Sequence, residues 1–286
     1  MTQKEQENMV EIIKLFNNII SLMCVQEFRQ RFISTTILSI LFALLFLLNN
    51  IFFQIIFSML FSFVFFEYEK LTSNSLQKLQ IFKILILQII LLFFTIFESY
   101  KIENISLLFN NFIIFLLISV FFNSIFLFYK KAKLINFIMS NIIILSFFSL
   151  IGILNSLNGL YMFLYAVILV SSMDIFAYLG GNLFGKRKII PVVSKGKTVE
   201  GTIIGLVFTI IISYFIKDLI KCNIMDSFIY GFFIGIIAFF GDLLESFFKR
   251  KIGVKDSGKL IPGHGGLMDR FDGYFLVIPF LYIFII

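Results

Sequence analysis

The sequence predicts an all-α fold: a polytopic integral membrane protein of about nine transmembrane helices, with its N-terminus in the cytoplasm. Three observations predict it. Of the 286 residues, 59% are apolar and only 14% charged, against about 45–50% and about 25% in soluble domains. Apolar runs long enough to cross a bilayer, about 20 residues each, recur along almost the whole chain. The basic residues fall on one side of the resulting parse. Together these exclude a soluble globular domain, a disordered chain and a disulfide-built module.

The apolar segments are 32–49, 51–66, 81–97, 105–128, 134–154, 158–180, 202–220, 227–246 and 267–286. Backbone N–H and C=O groups have no water partners in hydrocarbon, so each must be a helix, and none alternates as a barrel strand does. With the N-terminus inside, 21 of the 24 lysines and arginines lie in cytoplasmic segments, and only Lys101, Lys217 and Lys221 lie outside. That asymmetry is the positive-inside rule, and it puts the C-terminus outside. The first apolar run starts too late and runs too long for a signal peptide, so no cleavable leader is expected. Before it, Met9, Ile13, Phe16, Ile20 and Met23 share one face of an amphipathic helix, suited to the membrane surface or to packing on the spans. The organisation expected is therefore residues 1–27 as an N-terminal extension, 28–157 as N-terminal transmembrane helices and 158–286 as a C-terminal catalytic region. Cys24 and Cys222 have no metal or redox spacing and are expected to be free thiols on opposite sides.

Two inner loops differ in texture from the rest. One runs from Asp174 to Gly201, the other from Gly241 to Asp272, and both concentrate Gly, Lys, Arg, Asp and Glu. The second holds the only histidine, His264. Asp242 and Glu245, and again Asp269 and Asp272, are spaced i, i+3, so each pair projects from one helix face. A charge deep in a span costs about 2.5–3.5 kcal/mol, so four acids at adjoining helix ends need compensation. Carboxylates that leave room for water suit Mg²⁺; the alternative is solvation at the interface or pairing with Lys249, Arg250 and Arg270. Lys249, Arg250, Lys251, Lys255, Lys259 and Arg270 surround these acids and suit phosphate. Carboxylates for a metal beside Lys and Arg for phosphate are the parts of phosphoryl or nucleotidyl transfer. Lipid headgroup binding accounts for a basic loop but not for the interspersed Asp, Gly and His. Gly263, Gly265 and Gly266 around His264 suit a backbone that approaches a ligand closely. Asp174, the one acid well inside the sixth segment, is a functional candidate or an internal ion partner.

The run Ser246–Asp272 resembles the signature of the bacterial-type phosphatidate cytidylyltransferases. It is carried by Ser246, Phe248, Lys249, Arg250, Lys255, Asp256, Gly258, Ile261, Pro262, His264, Gly265, Gly266, Asp269, Arg270, Phe271 and Asp272. Upstream, Asp174, Ala177, Tyr178, Gly181, Gly185, Lys186, Ser194, Lys197, Thr198, Glu200 and Gly201 also fit, while Lys195 and Val199 depart where the family has Pro and Trp; Gln30-Arg31 and Glu67-Tyr68 resemble the family more weakly. The resemblance implies transfer of the cytidylyl group of CTP to phosphatidic acid, giving CDP-diacylglycerol and pyrophosphate for phospholipid biosynthesis. It implies Mg²⁺ as cofactor, held by Asp242, Asp269 and Asp272, with Lys249, Arg250 and Arg270 completing the catalytic set. Lys197, Thr198, Glu200, Lys255, Asp256, His264, Gly265 and Gly266 are the implied substrate contacts. The expected partners are CTP, phosphatidic acid, membrane lipids and a second copy of the chain, without nucleic acid. The expected location is the bacterial cytoplasmic membrane, with the site on its inner face. The rival readings are a CTP-dependent polyprenol or phytol kinase and, from another class, an ion-coupled transporter; no internal repeat of the transporter kind is present.

Overall fold

The computed structural model describes residues 50–73, 78–99, 105–129, 133–156, 158–194, 196–258, 260 and 265–284. The first apolar segment, the amphipathic extension, Cys24 and His264 lie outside them. Among the described residues the chain is an all-α membrane protein of eight α-helices: α1 (Asn50–Thr72), α2 (Lys78–Ser99), α3 (Ile105–Tyr129), α4 (Leu134–Asn155), α5 (Gly159–Phe184), α6 (Val199–Phe215), α7 (Ile224–Ile252) and α8 (Tyr274–Phe284). α1, α2, α4, α5 and α7 are long and apolar enough to cross a membrane, while α3 carries a shorter apolar stretch, as do the shorter α6 and α8.

α4 is the centre. It packs on α1, α3, α5 and α8, and 72% of its apolar window is buried inside the protein. Phe147 and Phe148 of α4 meet Phe61 and Phe94 from α1 and α2, at ring separations of 5.3 and 5.5 Å. Some phenylalanines thus fill the core in a chain without tryptophan, while more of the described ones face outward. A second group, α5–α6–α7, packs through glycine. A Cβ on Gly201 would lie 2.8 Å from Gly181 Cα, and one on Gly205 2.9 Å from the Met173 carbonyl. Lipid tails give apolar side chains no reason to prefer a neighbouring helix, so close backbone approach supplies the attraction.

Contacts between helix ends establish the up-and-down alternation. Gln54 at the start of α1 donates to Asn155 at the end of α4 (2.8 Å), while Tyr68 near the end of α1 donates to the Asn136 carbonyl near the start of α4 (2.6 Å). The ends of α1, α5 and α7 and the starts of α4, α6 and α8 therefore share one face.

Several boundaries differ from the apolar pattern, for identifiable reasons. α1 continues past residue 66 to Thr72, because its acids find internal partners: Glu69 pairs with Lys83 of α2 and accepts from Gln80 (2.8 Å). α7 runs to Ile252 because Glu245 and Lys249 are paired at i, i+4. α6 stops at Phe215, before the charged 3-10 turn Lys217–Leu219. α8 starts only at Tyr274, so Asp269 and Asp272 do not share a helix face. Asp269 lies in the 3-10 turn Met268–Arg270 and Asp272 in the turn after it. Their carboxylates bind backbone N–H groups that a helix would leave to its own ladder.

Candidate active site at one end of the bundle

The site is built from the last turns of α7, the turn before α8, and the loop between α5 and α6. Gly241 lets α7 approach that turn, since a Cβ there would lie 2.8 Å from the Asp272 carbonyl. Two apolar members of the signature anchor it in the core. Phe248 stacks on Tyr68 (5.7 Å), and Phe271 packs on Phe147 of α4 (5.4 Å).

The acids separate into two networks. In the first, Asp242 pairs with Lys197 (2.6 Å) and accepts from Ser246 Oγ (3.2 Å). Lys197 also lies 4.8 Å from the Phe239 ring centroid. Asp272 accepts from the Gly273 N–H (2.8 Å). Burial, followed by the negative charges of Asp242 and Asp174, pushes the Asp272 carboxyl up to about 7. Asp174, from α5, lies within electrostatic reach of Asp242, Lys197 and Arg270. Asp174, Asp242 and Asp272 thus lie within electrostatic reach of one another.

The second network is a buried relay. Lys249 bridges Glu245 (2.7 Å), which is fully buried, and Asp269 (2.8 Å). Asp269 also accepts from the backbone N–H groups of Ser257 (2.9 Å) and Gly266 (2.8 Å). Burial alone would raise the Asp269 carboxyl, but Lys249 and these N–H groups outweigh it and hold it below its ordinary value.

The predicted residues therefore take different positions. Asp242 and Asp272 come together, joined by Asp174, while Asp269 faces Lys249 and the loop. Lys249 is committed to two carboxylates. Arg250 donates to the carbonyls of Val193 (3.3 Å) and Val254 (3.1 Å), tying the two loops together. Thr198 caps α6, accepting from Gly201 N–H (3.2 Å). Glu200 accepts from the N–H groups of Lys186 (3.0 Å) and Arg187 (3.1 Å), folding the α5–α6 loop back on its helix. Lys255, Asp256 and Arg270 are exposed. Gly253 ends α7 in the left-handed conformation, its N–H and that of Val254 capping the last carbonyls. Gly265 has φ +86°, and a Cβ there would strike the Asp269 carboxylate.

Sequence reasoning touched Glu67 only as a weak part of the family resemblance, beside Tyr68, and gave it no role. It is 4% exposed on α1, yet it accepts from the Met268 N–H (2.8 Å) and from Ser257 Oγ (3.3 Å). The available signal was a pair of acids, Glu67 and Glu69, immediately after an apolar run. For Glu245 and Asp269 the structure shows the alternative to a metal that the sequence left open, pairing with Lys249.

The three clustered carboxylates offer hard oxygen donors, and Mg²⁺ is commonly held by one or two carboxylates plus water and substrate phosphate. Asp242 and Asp272 suit that role. Among the described residues no three His, Cys, Asp or Glu side chains close on a common centre.

A family profile described as "Cytidylyltransferase family" matches residues 29–286. The phosphatidate cytidylyltransferase of Staphylococcus haemolyticus is 44% identical over 132 residues, 45% of this chain and 50% of that one. That of Staphylococcus aureus is 42% identical over 131 residues, again 45% and 50%. The uncharacterized protein YnbB of Escherichia coli is 44% identical over 132 residues, 46% of this chain and 44% of its own. The chain spans about half the length of the curated relatives it matches.

Proposed function

Because the chain belongs to the cytidylyltransferase family, we propose that it transfers the cytidylyl group of CTP to phosphatidic acid, releasing pyrophosphate and forming CDP-diacylglycerol. The observation that carries this reading is the gathering of Asp174, Asp242 and Asp272 beside Lys197, at the bundle end where the signature's two loops meet.

A phosphate oxygen of phosphatidic acid attacks the α-phosphorus of CTP. The bond from that phosphorus to the bridging oxygen of the β-phosphate breaks, and pyrophosphate leaves. The nucleophile is already ionised at neutral pH, so no side chain is needed to take its proton. What the protein supplies is positioning and charge. Asp242 and Asp272 would hold Mg²⁺, which when bound neutralises phosphate charge. Lys197, held against Asp242, sits where it can exchange that partner for a phosphate oxygen. Arg270 and Lys255 lie at the exposed edge, where a triphosphate enters. Asp269 and Lys249, in this geometry, keep the loop in shape and do not touch substrate.

The reading also puts the site on the cytoplasmic face of a bacterial inner membrane, supported by the distribution of basic residues. CTP arrives there from water, while the acyl chains of the lipid stay in the bilayer. A homodimer is part of the same proposal, and cross-linking in membranes tests it. The decisive assay supplies phosphatidic acid, radiolabelled CTP and Mg²⁺ to purified protein in detergent, beside Asp272→Asn. Labelled CDP-diacylglycerol from wild type but not the variant is expected. Phosphorylation of a lipid alcohol in its place overturns the reading in favour of a kinase.

A further inference from the structure

The signature loop is gripped from two sides by two carboxylates. Asp269, within the loop, takes the N–H groups of Ser257 and Gly266. Glu67 comes from α1, some 190 positions earlier in the chain, and takes Ser257 Oγ and the Met268 N–H with Oε2. Ser257 is held by both, its N–H to Asp269 and its hydroxyl to Glu67. The loop backbone is moulded around the Glu67 carboxylate. A Cβ on Gly258 would lie 2.6 Å from Oε1, and one on Gly266 2.7 Å from Oε2. Glycine at both positions is thus explained by Glu67 as well as by any ligand. Tyr68, the next residue, stacks on Phe248 and fixes the end of α1 against α7. Nothing in the buried position of Glu67 lets it reach substrate directly.

We propose that Glu67 is a positioning residue: from the N-terminal helices it sets the backbone at Ser257–Gly258 and Gly266–Met268, and through it the affinity for CTP. The second half of this statement rests on the cytidylyl-transfer reading, and the first does not.

The test compares wild type, Glu67→Ala, Glu67→Gln and Ser257→Ala in detergent. Two quantities are read: amide hydrogen exchange of peptides covering 255–270, and equilibrium binding of CTP with Mg²⁺. Glu67→Ala is expected to speed exchange in that loop by about tenfold or more, a loss of local protection, with peptides from residues 50–66 unchanged. It is expected to weaken CTP binding by about tenfold, since remote misplacement of a binding group is costly. Glu67→Gln keeps an oxygen that accepts from Met268 and is expected to restore most of both. Ser257→Ala removes one donor without touching α1 and is expected to fall between, which keeps the proposal testable if Glu67→Ala does not fold. Unchanged loop exchange in Glu67→Ala overturns the proposal. Faster exchange with unchanged CTP binding overturns it too, because the loop's order would then not reach the ligand. Product formation is scored separately: a wild type that binds CTP but makes no CDP-diacylglycerol refutes the transfer reading and leaves the Glu67 comparison standing.

Discussion

Replacing Lys249 by Met separates two accounts of the most basic stretch in the chain. If Lys249 neutralised substrate phosphate, Lys249→Met would lose turnover and keep its fold. The structure assigns it another task. Its ammonium lies 2.7 Å from Glu245 and 2.8 Å from Asp269, with the Glu245 side chain fully buried and that of Asp269 9% exposed. Removing the cation strands two carboxylates, and breaking a buried pair from one side costs about 3–5 kcal/mol. At roughly 2–4 °C per kcal/mol for a chain near this size, the unfolding midpoint should fall by on the order of 10 °C. Adding Glu245→Gln to Lys249→Met removes one of the stranded charges, so the double variant should regain part of that loss. The assay is thermal unfolding in detergent, followed by tryptophan-free near-UV absorbance or a thiol-reactive dye, with CTP turnover measured at a temperature where each variant is folded. A Lys249→Met midpoint within 2 °C of wild type would refute the reasoning.

Other outcomes follow from the same geometry. Glu200→Ala should free the α5–α6 loop, and trypsin should cut at Lys186–Lys188 several-fold faster than in wild type, while Glu200→Gln stays near wild type. Gly201→Leu should force α5 from α6, because even a Cβ there would meet the Ala177 carbonyl and Gly181 backbone; overpacking costs about 1–3 kcal/mol or more, read as a lower unfolding midpoint. Asp269 supplies a pH dependence. Its carboxyl is held below the ordinary value in the folded chain, so its contribution is present above the unfolded value of about 3.9 and is lost as pH falls through the lower folded one. Asp269→Asn should therefore be less stable at neutral pH and show a flatter stability profile below about pH 4, measured as unfolding midpoint against pH.

The sequence made the architecture legible because the bilayer restricts the backbone to helices and length sets each span. The described helices fall where apolar runs were read, and their shared ends alternate as the charge distribution requires. What it concealed was where helices stop. Residues 66–72 look like a polar exit from a span, yet Glu69 and Lys83 satisfy one another and the helix continues. Residues 267–273 look like the start of a span, yet Asp269 and Asp272 draw backbone N–H groups into turns. The site was legible as composition: the acids, bases and glycines of two loops. Its internal pairing was legible only as an alternative to a metal, with no indication of which acid takes which base. Spacing suggested Asp269 and Asp272 on one helix face, but both lie in turns on their own backbone N–H partners, and Asp174 of another helix acts on Asp272. Local spacing carries no information about a partner such as Glu67, which is distant in the chain.

The short connections on the face away from the site bear on how the chain enters a membrane. α4 and α5 are joined by residues 156–158, and α6 and α7 by residues 216–223. With the site on the cytoplasmic side, these are the described links that must be carried across the bilayer, and they hold only Lys217, Asp218 and Lys221 as charged residues. Lys217 and Asp218 pair at 3.0 Å, which lowers the burden of that link further. Each pair of helices can thus insert as a hairpin, its backbone already self-satisfied. In the orientation proposed above, the long, charged segments that form the site would never have to leave the compartment in which they were made.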